Sequence, residues 1–484
     1  MSRRRRNPIP ALVGIALVPA LALGGLWRFA AGRADSAPAV QDVAVSDDTA
    51  PTPLPTPLLS LRRSPAVLAR TINSAAFTAA LQPMLDQVGD NACLALSVDG
   101  QLIGAKNEDL ALLPASNVKV VTAAVALDVL GPGFVYTTAV RGELTGDGTV
   151  AGDLVFVGGG DPVLSPAWWN GSNPKYQPFN ETSLEALVDG LVAAGVKRVS
   201  GQIVADVSRY DNELYAPTWQ AGDKGIQVGP LSALLVADSR ESIERFSEDP
   251  VEGANRVLAG MLAERGIAVD GGVGGALEGP SSTGAVLASV QSQPLSQIIA
   301  EMLTTSDNNT AEMVLKEVGL AAAGTGSREA GLGVVLAKLT DWGITTDGVV
   351  LVDGSGISSE NRLTCNVLLR VLQHGSVDDA VGAGLPVGGA AGGTLSEVYT
   401  EGPLAGVVRA KTGTLNEDCI PERVGAKTLS GYIPVPGGGA IEFSLLQNGR
   451  CISDQSQYRA LWDALADTAA VYLSGVAVDD LAPR

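Results

Sequence analysis

The sequence predicts an α/β protein of the α+β type, in which an antiparallel sheet is flanked by helices and carries an inserted αβ segment. Residues 92–98 and 101–105 are apolar runs joined by Asp99-Gly100, a turn typical of β-hairpins. Short turn-rich connections favour antiparallel neighbours among later strands. Three such strand-like runs follow one another in the last third of the chain: 404–415, 428–435 and 440–447.

Residues 114–130 form the strongest helical pattern in the chain. The run is apolar nearly all round and stops at Gly131-Pro132. A helix without a polar face is buried inside a protein. We therefore expect this helix to be a rigid platform for whatever side chains it carries.

Between residues 141 and 285 the sequence becomes rich in glycine and in short strand-like runs. Two helix-then-strand units end their helices at Gly195 and Gly266, and a third copy of the pattern surrounds Gly343. We take 141–285 as an inserted domain. The main domain is then expected over the two flanking segments, 67–140 and 286–475.

The N-terminus predicts export. Residues 1–34 begin with four arginines and continue into an apolar stretch, the order of a charged region before a membrane-inserting segment. The rest of the chain is then extracytoplasmic, membrane-anchored or secreted; an uncleaved anchor is favoured over cleavage near Ala30. Residues 35–66, rich in Pro, Ala, Ser and Thr, are expected to be a tether.

Composition excludes several classes of function. The net charge of −19 has the wrong sign for a phosphate-binding surface, so nucleic acid is not expected as a partner. His374 is the only histidine, which excludes zinc sites built from several histidines and leaves any imidazole base to this one residue. His374 has no motif around it and is interpreted as structural or exposed. No metal and no cofactor are expected.

Four cysteines in an exported chain predict disulfides, with three possible connectivities. Cys419 and Cys451 follow the first and third strands of the predicted meander, and alternate strands of a meander end at the same edge. We therefore predict a Cys419–Cys451 bond. Cys93 and Cys365 pair only by default, and free thiols remain the alternative for either pair.

Ser116 and Lys119 open the buried helix, one turn apart on one face. A lysine in an apolar cleft loses its proton near neutral pH more easily, because desolvation disfavours its charged form, and it can then act as a general base for the serine. This chemistry needs no histidine. The spacing alone is weak, because Ser172 and Lys175 match it in a proline-containing loop that opposes helical geometry.

Three elements in order strengthen the signal. They are Ser116 to Lys119 on a helix, Ser306 to Asn308 in a polar break between two helices, and Lys411 to Gly413 on a strand. The tripeptide Lys-Thr-Gly occurs only once in the sequence. A second Ser-x-Asn match occurs at 359–361. The three elements in this order predict three walls of one cleft.

With these motifs the sequence resembles the D-alanyl-D-alanine carboxypeptidase/endopeptidase family of class C low-molecular-mass penicillin-binding proteins, peptidase family S13. The resemblance spans about 75–448 and includes 160–162, 231–234, 306–312, 353–356 and 429–432. It implies a β-lactamase/penicillin-binding transpeptidase-like domain with an insertion between the first two motifs. It also implies D-Ala-D-Ala ends or cross-links of peptidoglycan stem peptides as substrates, and acylation by β-lactam antibiotics.

The resemblance also implies roles for single residues. Ser116 is the nucleophile and Lys119 its base, while Ser306 passes a proton to the leaving amine and Asn308 hydrogen-bonds the substrate amide. Lys411 supplies positive charge. Thr412 and Thr414 bind the terminal carboxylate beside Gly413, and the backbone N–H groups of Ser116 and Thr414 form the oxyanion hole.

One feature departs from the family: residues 416–428, with Cys419, stand where a tight turn is usual. This loop is expected either to restrict the cleft or bind a partner, or to be a disulfide-stapled surface elaboration. Two functional alternatives to the serine DD-carboxypeptidase stay open. One is a non-catalytic wall-binding or scaffold protein, and the other is a β-lactamase, ranked lower because no additional glutamate motif for deacylation is present.

Overall fold

The computed structural model describes residues 64–171, 176–281, 284–416, 419–420 and 422–481. The expected anchor and nearly all of the expected tether therefore lie outside the described residues, as does the loop match at 172–175. The helices are α1 (Ser64–Gln87), α2 (Val118–Leu130), α3 (Leu184–Ala193), α4 (Pro250–Glu264), α5 (Leu295–Thr305), α6 (Asn308–Ala323), α7 (Arg328–Asp341), α8 (Cys365–His374), α9 (Ala380–Gly384) and α10 (Gln455–Leu473).

The strands fall into two large sheets and two short pairs. They are β1 (Ala92–Val98), β2 (Gln101–Lys106), β3 (Thr137–Leu144), β4 (Thr149–Val157), β5 (Leu164–Ser165), β6 (Thr182–Ser183), β7 (Arg198–Val199), β8 (Ile203–Asp206), β9 (Arg240–Ser242), β10 (Arg245–Phe246), β11 (Ala268–Val269), β12 (Val273–Ala276), β13 (Ala285–Gln291), β14 (Arg409–Leu415), β15 (Gly425–Pro434) and β16 (Ala440–Gly449).

The first sheet is antiparallel, in the order β14-β15-β16-β1-β2. Its central strands β1 and β16 are buried on both faces along most of their length. β1 accordingly reads as a nearly continuous apolar run, whereas β16 buries Glu442 and Ser444 among its apolar residues. Apolar side chains of α1 and α10 cover one face, and α8 packs against the other. This is the predicted antiparallel sheet between helices. The predicted hairpin is also present, with Asp99 and Gly100 both at positive φ.

The second sheet has seven strands, β3, β4, β7, β8, β11, β12 and β13, and mixes antiparallel and parallel pairs. Helices α3 and α4 pack against it around a core of their own. The two predicted helix-then-strand units are present, with Gly195 and Gly266 at positive φ after their helices. The sheet includes both β3 and β13, which flank or overlap the ends of the expected 141–285 insert; the division into folding units stays a prediction.

Two expectations about strands were wrong. The third unit ends its helix at Gly343 as expected, but its strand is absent: Val350 forms only an isolated bridge with Arg362. The next backbone N–H, that of Val352, is bound by the Asn361 side chain rather than by a sheet partner. Strand β14 begins at Arg409, not 404, because residues 404–408 form a turn closed by hydrogen bonds to the Leu404 carbonyl.

Both expected disulfides are present, Cys93–Cys365 and Cys419–Cys451, with Cα–Cα distances of 5.9 and 4.4 Å. His374 ends α8 and stacks on Trp342, in agreement with a structural role. Within the described part of the chain, one segment, Gln455–Leu481, is long and apolar enough to cross a membrane by length and composition. Its helix α10 contributes Leu465, Trp462 and other side chains to the core.

Candidate active site

Ser116 lies in a 3-10 turn, Ala115–Asn117, that leads directly into α2. The turn is tied to the first sheet: the Asn117 side-chain amide donates to Thr428 Oγ1 (2.5 Å), and the Thr428 hydroxyl donates to the Pro114 carbonyl (3.0 Å). Ala115 has φ 47°, an unusual value for a residue with a Cβ. The surrounding contacts hold this strained backbone in place, as is common where a nucleophile is presented.

Two glycines allow this turn to be approached closely. A Cβ on Gly413 of β14 would collide with Thr428 Oγ1 and crowd the Pro114 carbonyl, and a Cβ on Gly356 would overlap the Ala115 carbonyl. Gly356 also has φ 87°, which L-residues rarely adopt. Strand β14 and the loop at Gly356 can therefore both touch the turn that carries Ser116.

Lys119 is fully buried beneath the serine. Its Nζ donates to Ser116 Oγ (3.1 Å), to Asn308 Oδ1 (2.6 Å) and to the Ser355 carbonyl (2.7 Å). Burial lowers the pKa of Lys119 from 10.5 to about 8, and neighbouring carboxylates oppose this shift in part. A lysine in this position can exchange a proton with the serine close to neutral pH.

Two buried carboxyl groups organise the loop that holds Lys119. Glu312 on α6 accepts the backbone N–H groups of Gly354 (2.9 Å) and Ser355 (2.7 Å). Burial and the nearby Asp353 raise the pKa of Glu312 to about 8. Glu312 and Asp353 both belong to sequence motifs, but their spacing did not indicate a role for them. In the structure they hold the loop so that the Ser355 carbonyl accepts a hydrogen bond from Lys119 Nζ.

Asp353 also connects the loop to the segment between β8 and β9, residues 207–239. Its carboxylate accepts the Trp219 indole N–H (2.8 Å), two backbone N–H groups of its own loop and the Asn361 side chain. The second Ser-x-Asn match, 359–361, is therefore a structural element whose asparagine binds Asp353. Ser306 to Asn308 is the copy that lines the cleft with Ser116, and its asparagine binds Lys119.

Ser306 and Asn308 occupy the junction between α5 and α6. Ser306 ends α5 in the left-handed conformation (φ 67°), and Asp307 caps the N-terminus of α6. Asn308 accepts from Lys119 and donates through Nδ2 to the Gln227 carbonyl (2.7 Å). Asn308 thus joins Lys119 to a loop from the opposite wall of the cleft, a contact that the sequence did not suggest.

Lys411 on β14 is also fully buried, and its Nζ donates to the carbonyl of Thr412 (2.9 Å). Burial, with the charge of Lys119 nearby, lowers the pKa of Lys411 well below its usual range. Thr412 and Thr414 alternate with it and face the cleft. Opposite Thr414 on β15 lies Lys427, whose Nζ donates to Thr414 Oγ1 (2.9 Å).

These elements surround a cleft of about 710 Å³ that runs past Ser116. One wall is formed by the serine turn, β14 and β15. The opposite wall comes from α5 and from the segment between β8 and β9. It carries three acidic residues, Asp223, Asp238 and Glu301. Burial raises the pKa of Glu301 to about 7 and that of Asp238 well above its usual range.

The comparisons with known proteins agree with this geometry. The D-Ala-D-Ala carboxypeptidase 3 (S13) family matches residues 78–245 and 233–471. The chain belongs to this family. It is 30% identical over 448 residues to a D-alanyl-D-alanine carboxypeptidase of an Actinomadura species, covering 76% of this chain and 79% of that protein. It is 32% identical to carboxypeptidase DacB of Mycolicibacterium smegmatis, covering 69% and 71%.

Among solved structures, penicillin-binding protein 4 (dacB) from Haemophilus influenzae superposes with a TM-score of 0.66 at 20% identity, covering 81% of this chain and 99% of that one. The expected penicillin-binding fold is therefore confirmed. The chain is a serine-type D-Ala-D-Ala carboxypeptidase.

Proposed function

We propose that Ser116 performs this reaction through an acyl-enzyme, with Lys119 as its general base. The observation that carries the proposal is the buried Lys119 Nζ, 3.1 Å from Ser116 Oγ and with a pKa lowered to about 8. In its neutral form Lys119 takes the serine proton as Oγ attacks the carbonyl carbon of the penultimate D-alanine. The backbone N–H groups of Ser116 and Thr414 stabilise the oxyanion.

When the tetrahedral intermediate collapses, the C–N bond breaks and the leaving amine of D-alanine needs a proton. Lys119 carries that proton, and Ser306 lines the cleft as a relay toward the amine. Water then hydrolyses the ester, and the proton returns through the same groups. Asn308, held between Lys119 and Gln227, hydrogen-bonds the substrate amide and keeps the lysine in register.

The test is acylation by a fluorescent penicillin, followed by mass spectrometry of the labelled peptide and an assay of D-alanine release. We expect one adduct on Ser116 and release of D-alanine from an acyl-D-Ala-D-Ala peptide, with both lost in Ser116→Ala. Folded protein that takes no label would reject the mechanism and favour the wall-binding scaffold instead. Rapid turnover of the penicillin without a lasting adduct would favour the β-lactamase.

A second activity, DD-endopeptidase cleavage of cross-links, is supported by the size of the cleft, about 710 Å³, which is lined by residues of both walls together with Ser116. Incubation with a purified cross-linked muropeptide dimer tests it. Monomer release at a rate comparable to D-alanine release is expected. Intact dimer alongside full carboxypeptidase activity would exclude it.

We further propose that residues 1–34 anchor the enzyme in the membrane. The expected tether, 35–66, would then end where α1 begins at Ser64 and hold the folded part outside the membrane, where wall peptides reach its cleft. The two disulfides support export, because such bonds persist in oxidising compartments. Protease treatment of intact cells should remove the folded part and leave the N-terminal segment with the membrane fraction. Recovery of full-length protein in the cytosol would reject both parts of this proposal.

A further inference from the structure

The face of β14 and β15 that lines the cleft carries a cation beside two hydroxyl groups. Thr412 and Thr414 lie two residues apart and so share one face of β14. Thr414 and Lys427 are directly opposite in the antiparallel register, which places their side chains on the same face. All three residues line the cleft that contains Ser116.

Lys427 is held in a defined position. Its Nζ donates to Thr414 Oγ1 (2.9 Å) and lies 5.0 Å from the centroid of the Tyr458 ring, which also lines the cleft. The side chain is half-buried and lines the cleft. A fixed ammonium loses less conformational freedom on binding an anion than a mobile surface lysine does.

Lys411, the lysine of the Lys-Thr-Gly motif, is placed differently. It occupies the other face of β14, is fully buried, and directs its Nζ to the backbone carbonyl of Thr412. Burial and the proximity of Lys119 disfavour its charged form. A substrate carboxylate on the Thr412 and Thr414 face therefore meets Lys427 rather than Lys411 as its positive partner.

We propose that Lys427 is the charged residue that recognises the terminal α-carboxylate of the D-alanyl-D-alanine substrate, together with the hydroxyl groups of Thr412 and Thr414. The inference rests on the proposed function, because it assumes that the scissile bond lies at Ser116. It makes Lys427 a specificity-determining residue: the enzyme selects peptides with a free, negatively charged C-terminus. A charge-assisted hydrogen bond of this kind is stronger than one between neutral groups.

The test compares two substrates, an acyl-D-Ala-D-Ala peptide with a free carboxylate and its C-terminal amide, on the full-length enzyme and three variants. We expect the wild type to prefer the acid. Lys427→Met should lower kcat/KM for the acid about 10- to 100-fold and leave the amide nearly unchanged, because only the charged contact is removed. Lys427→Arg should retain most of the acid preference. Lys338→Met, the same charge change at an ion pair outside the cleft, should match the wild type.

A wild-type enzyme that cleaves acid and amide equally would overturn the inference. So would a Lys427→Met variant that loses the same factor on both substrates, since that result indicates damage to the site rather than loss of carboxylate recognition. Penicillin labelling of Ser116 is measured in parallel. An enzyme that neither labels nor cleaves either substrate contradicts the proposed function itself, which is a different outcome from an unchanged acid-to-amide ratio in a labelled enzyme.

Discussion

The two walls of the cleft carry ionisable groups of opposite charge, and burial shifts the pKa values of the two walls in opposite directions. The wall built by the serine turn, β14 and β15 is the one to which we assign the chemistry, and we call it the catalytic wall. Lys119 on α2 and Lys411 on β14 are buried behind it, and Lys427 on β15 lines the cleft. Burial lowers the pKa of the first two. The facing wall carries carboxyl groups such as Glu301, whose pKa burial raises to about 7. Desolvation thus favours the uncharged form of the buried lysines and of the buried carboxyl groups alike.

The difference between the walls lies in what each group contacts. Lys119 Nζ lies 3.1 Å from Ser116 Oγ, so a Lys119 that has lost its proton is placed to act on the serine. A carboxyl with a pKa of about 7 is also a competent base, but Glu301 accepts the backbone N–H groups of Phe179 (3.0 Å) and Asn180 (2.6 Å). We therefore assign the proposed chemistry to the catalytic wall and a structural role in the cleft to Glu301.

The largest expected effect comes from removing the buried amine on the catalytic wall. Lys119→Met should slow acylation of Ser116 by about 10²- to 10⁴-fold, the usual contribution of a positioned general base. Stopped-flow kinetics with a chromogenic β-lactam measure this, normalised to folded protein. The matched control is Lys316→Met, since Lys316 is equally buried but pairs with Asp211 outside the cleft.

We expect Lys316→Met to lower the melting temperature and to leave acylation per folded molecule unchanged. The comparison separates chemistry from the cost of disturbing a buried lysine. Equal losses of acylation rate in the two variants would contradict the role of Lys119 as a base.

Gly413→Ala tests how closely the catalytic wall must approach the serine turn. The new Cβ would collide with Thr428 Oγ1 and press on the Pro114 carbonyl, so the turn and β14 must separate. A displacement of this size can reduce the rate by up to about 100-fold. Gly260→Ala is the control, because nothing lies within 4 Å of its Cβ position. Wild-type acylation by Gly413→Ala would show that the contact is not required.

The pH dependence of acylation should follow Lys119. The base must be neutral, and its pKa is about 8, so the acylation rate should rise about tenfold per pH unit below 8 and level off above it. Pre-steady-state acylation between pH 5.5 and 9.5 measures the profile, with circular dichroism to verify folding at each pH. A rate that falls as pH rises through 8 would assign the base to another group.

Much of the catalytic wall could be predicted from the sequence, because helical spacing places Ser116 and Lys119 on one face whatever the rest of the fold does. The hairpin followed from a local turn signal, and the side-chain period of a helix reports directly which residues share a face. The Cys419–Cys451 bond followed from the expected order of the last three strands, because alternate strands of a meander end at the same edge.

The remaining features depend on relations between distant segments. Lys427 faces Thr414 only because of the register between β14 and β15, and the loop between these strands hides that register from the sequence. The hydrogen bond from Asn308 to the Gln227 carbonyl requires the segment between β8 and β9 to reach the start of α6. The strand predicted for the third helix-then-strand unit was wrong for a related reason. The Asn361 side chain binds the Val352 backbone N–H where a sheet partner was expected.

The smallest expected effect on activity concerns the loop at the end of the catalytic wall. Cys419 and Cys451 join it to the segment after β16, and the Asn416 side chain binds the backbone of Ile420 and Arg423 within the same loop. Because Asn416 holds the turn independently, Cys419→Ala/Cys451→Ala should change acylation by no more than about twofold. The free energy of unfolding should fall by about 2–4 kcal/mol, the usual contribution of a disulfide.

The Cys93→Ala/Cys365→Ala pair supplies the comparison. Both cysteines are fully buried and 272 residues apart in sequence, so their removal should destabilise the protein more than the loop pair does. The longer loop restrains the unfolded chain further, and two buried sulfur atoms leave a cavity. Urea denaturation of both double variants measures the difference. A larger loss from the loop pair, or an acylation defect in that variant, would show that the disulfide positions β14 and β15, and with them Thr414 and Lys427.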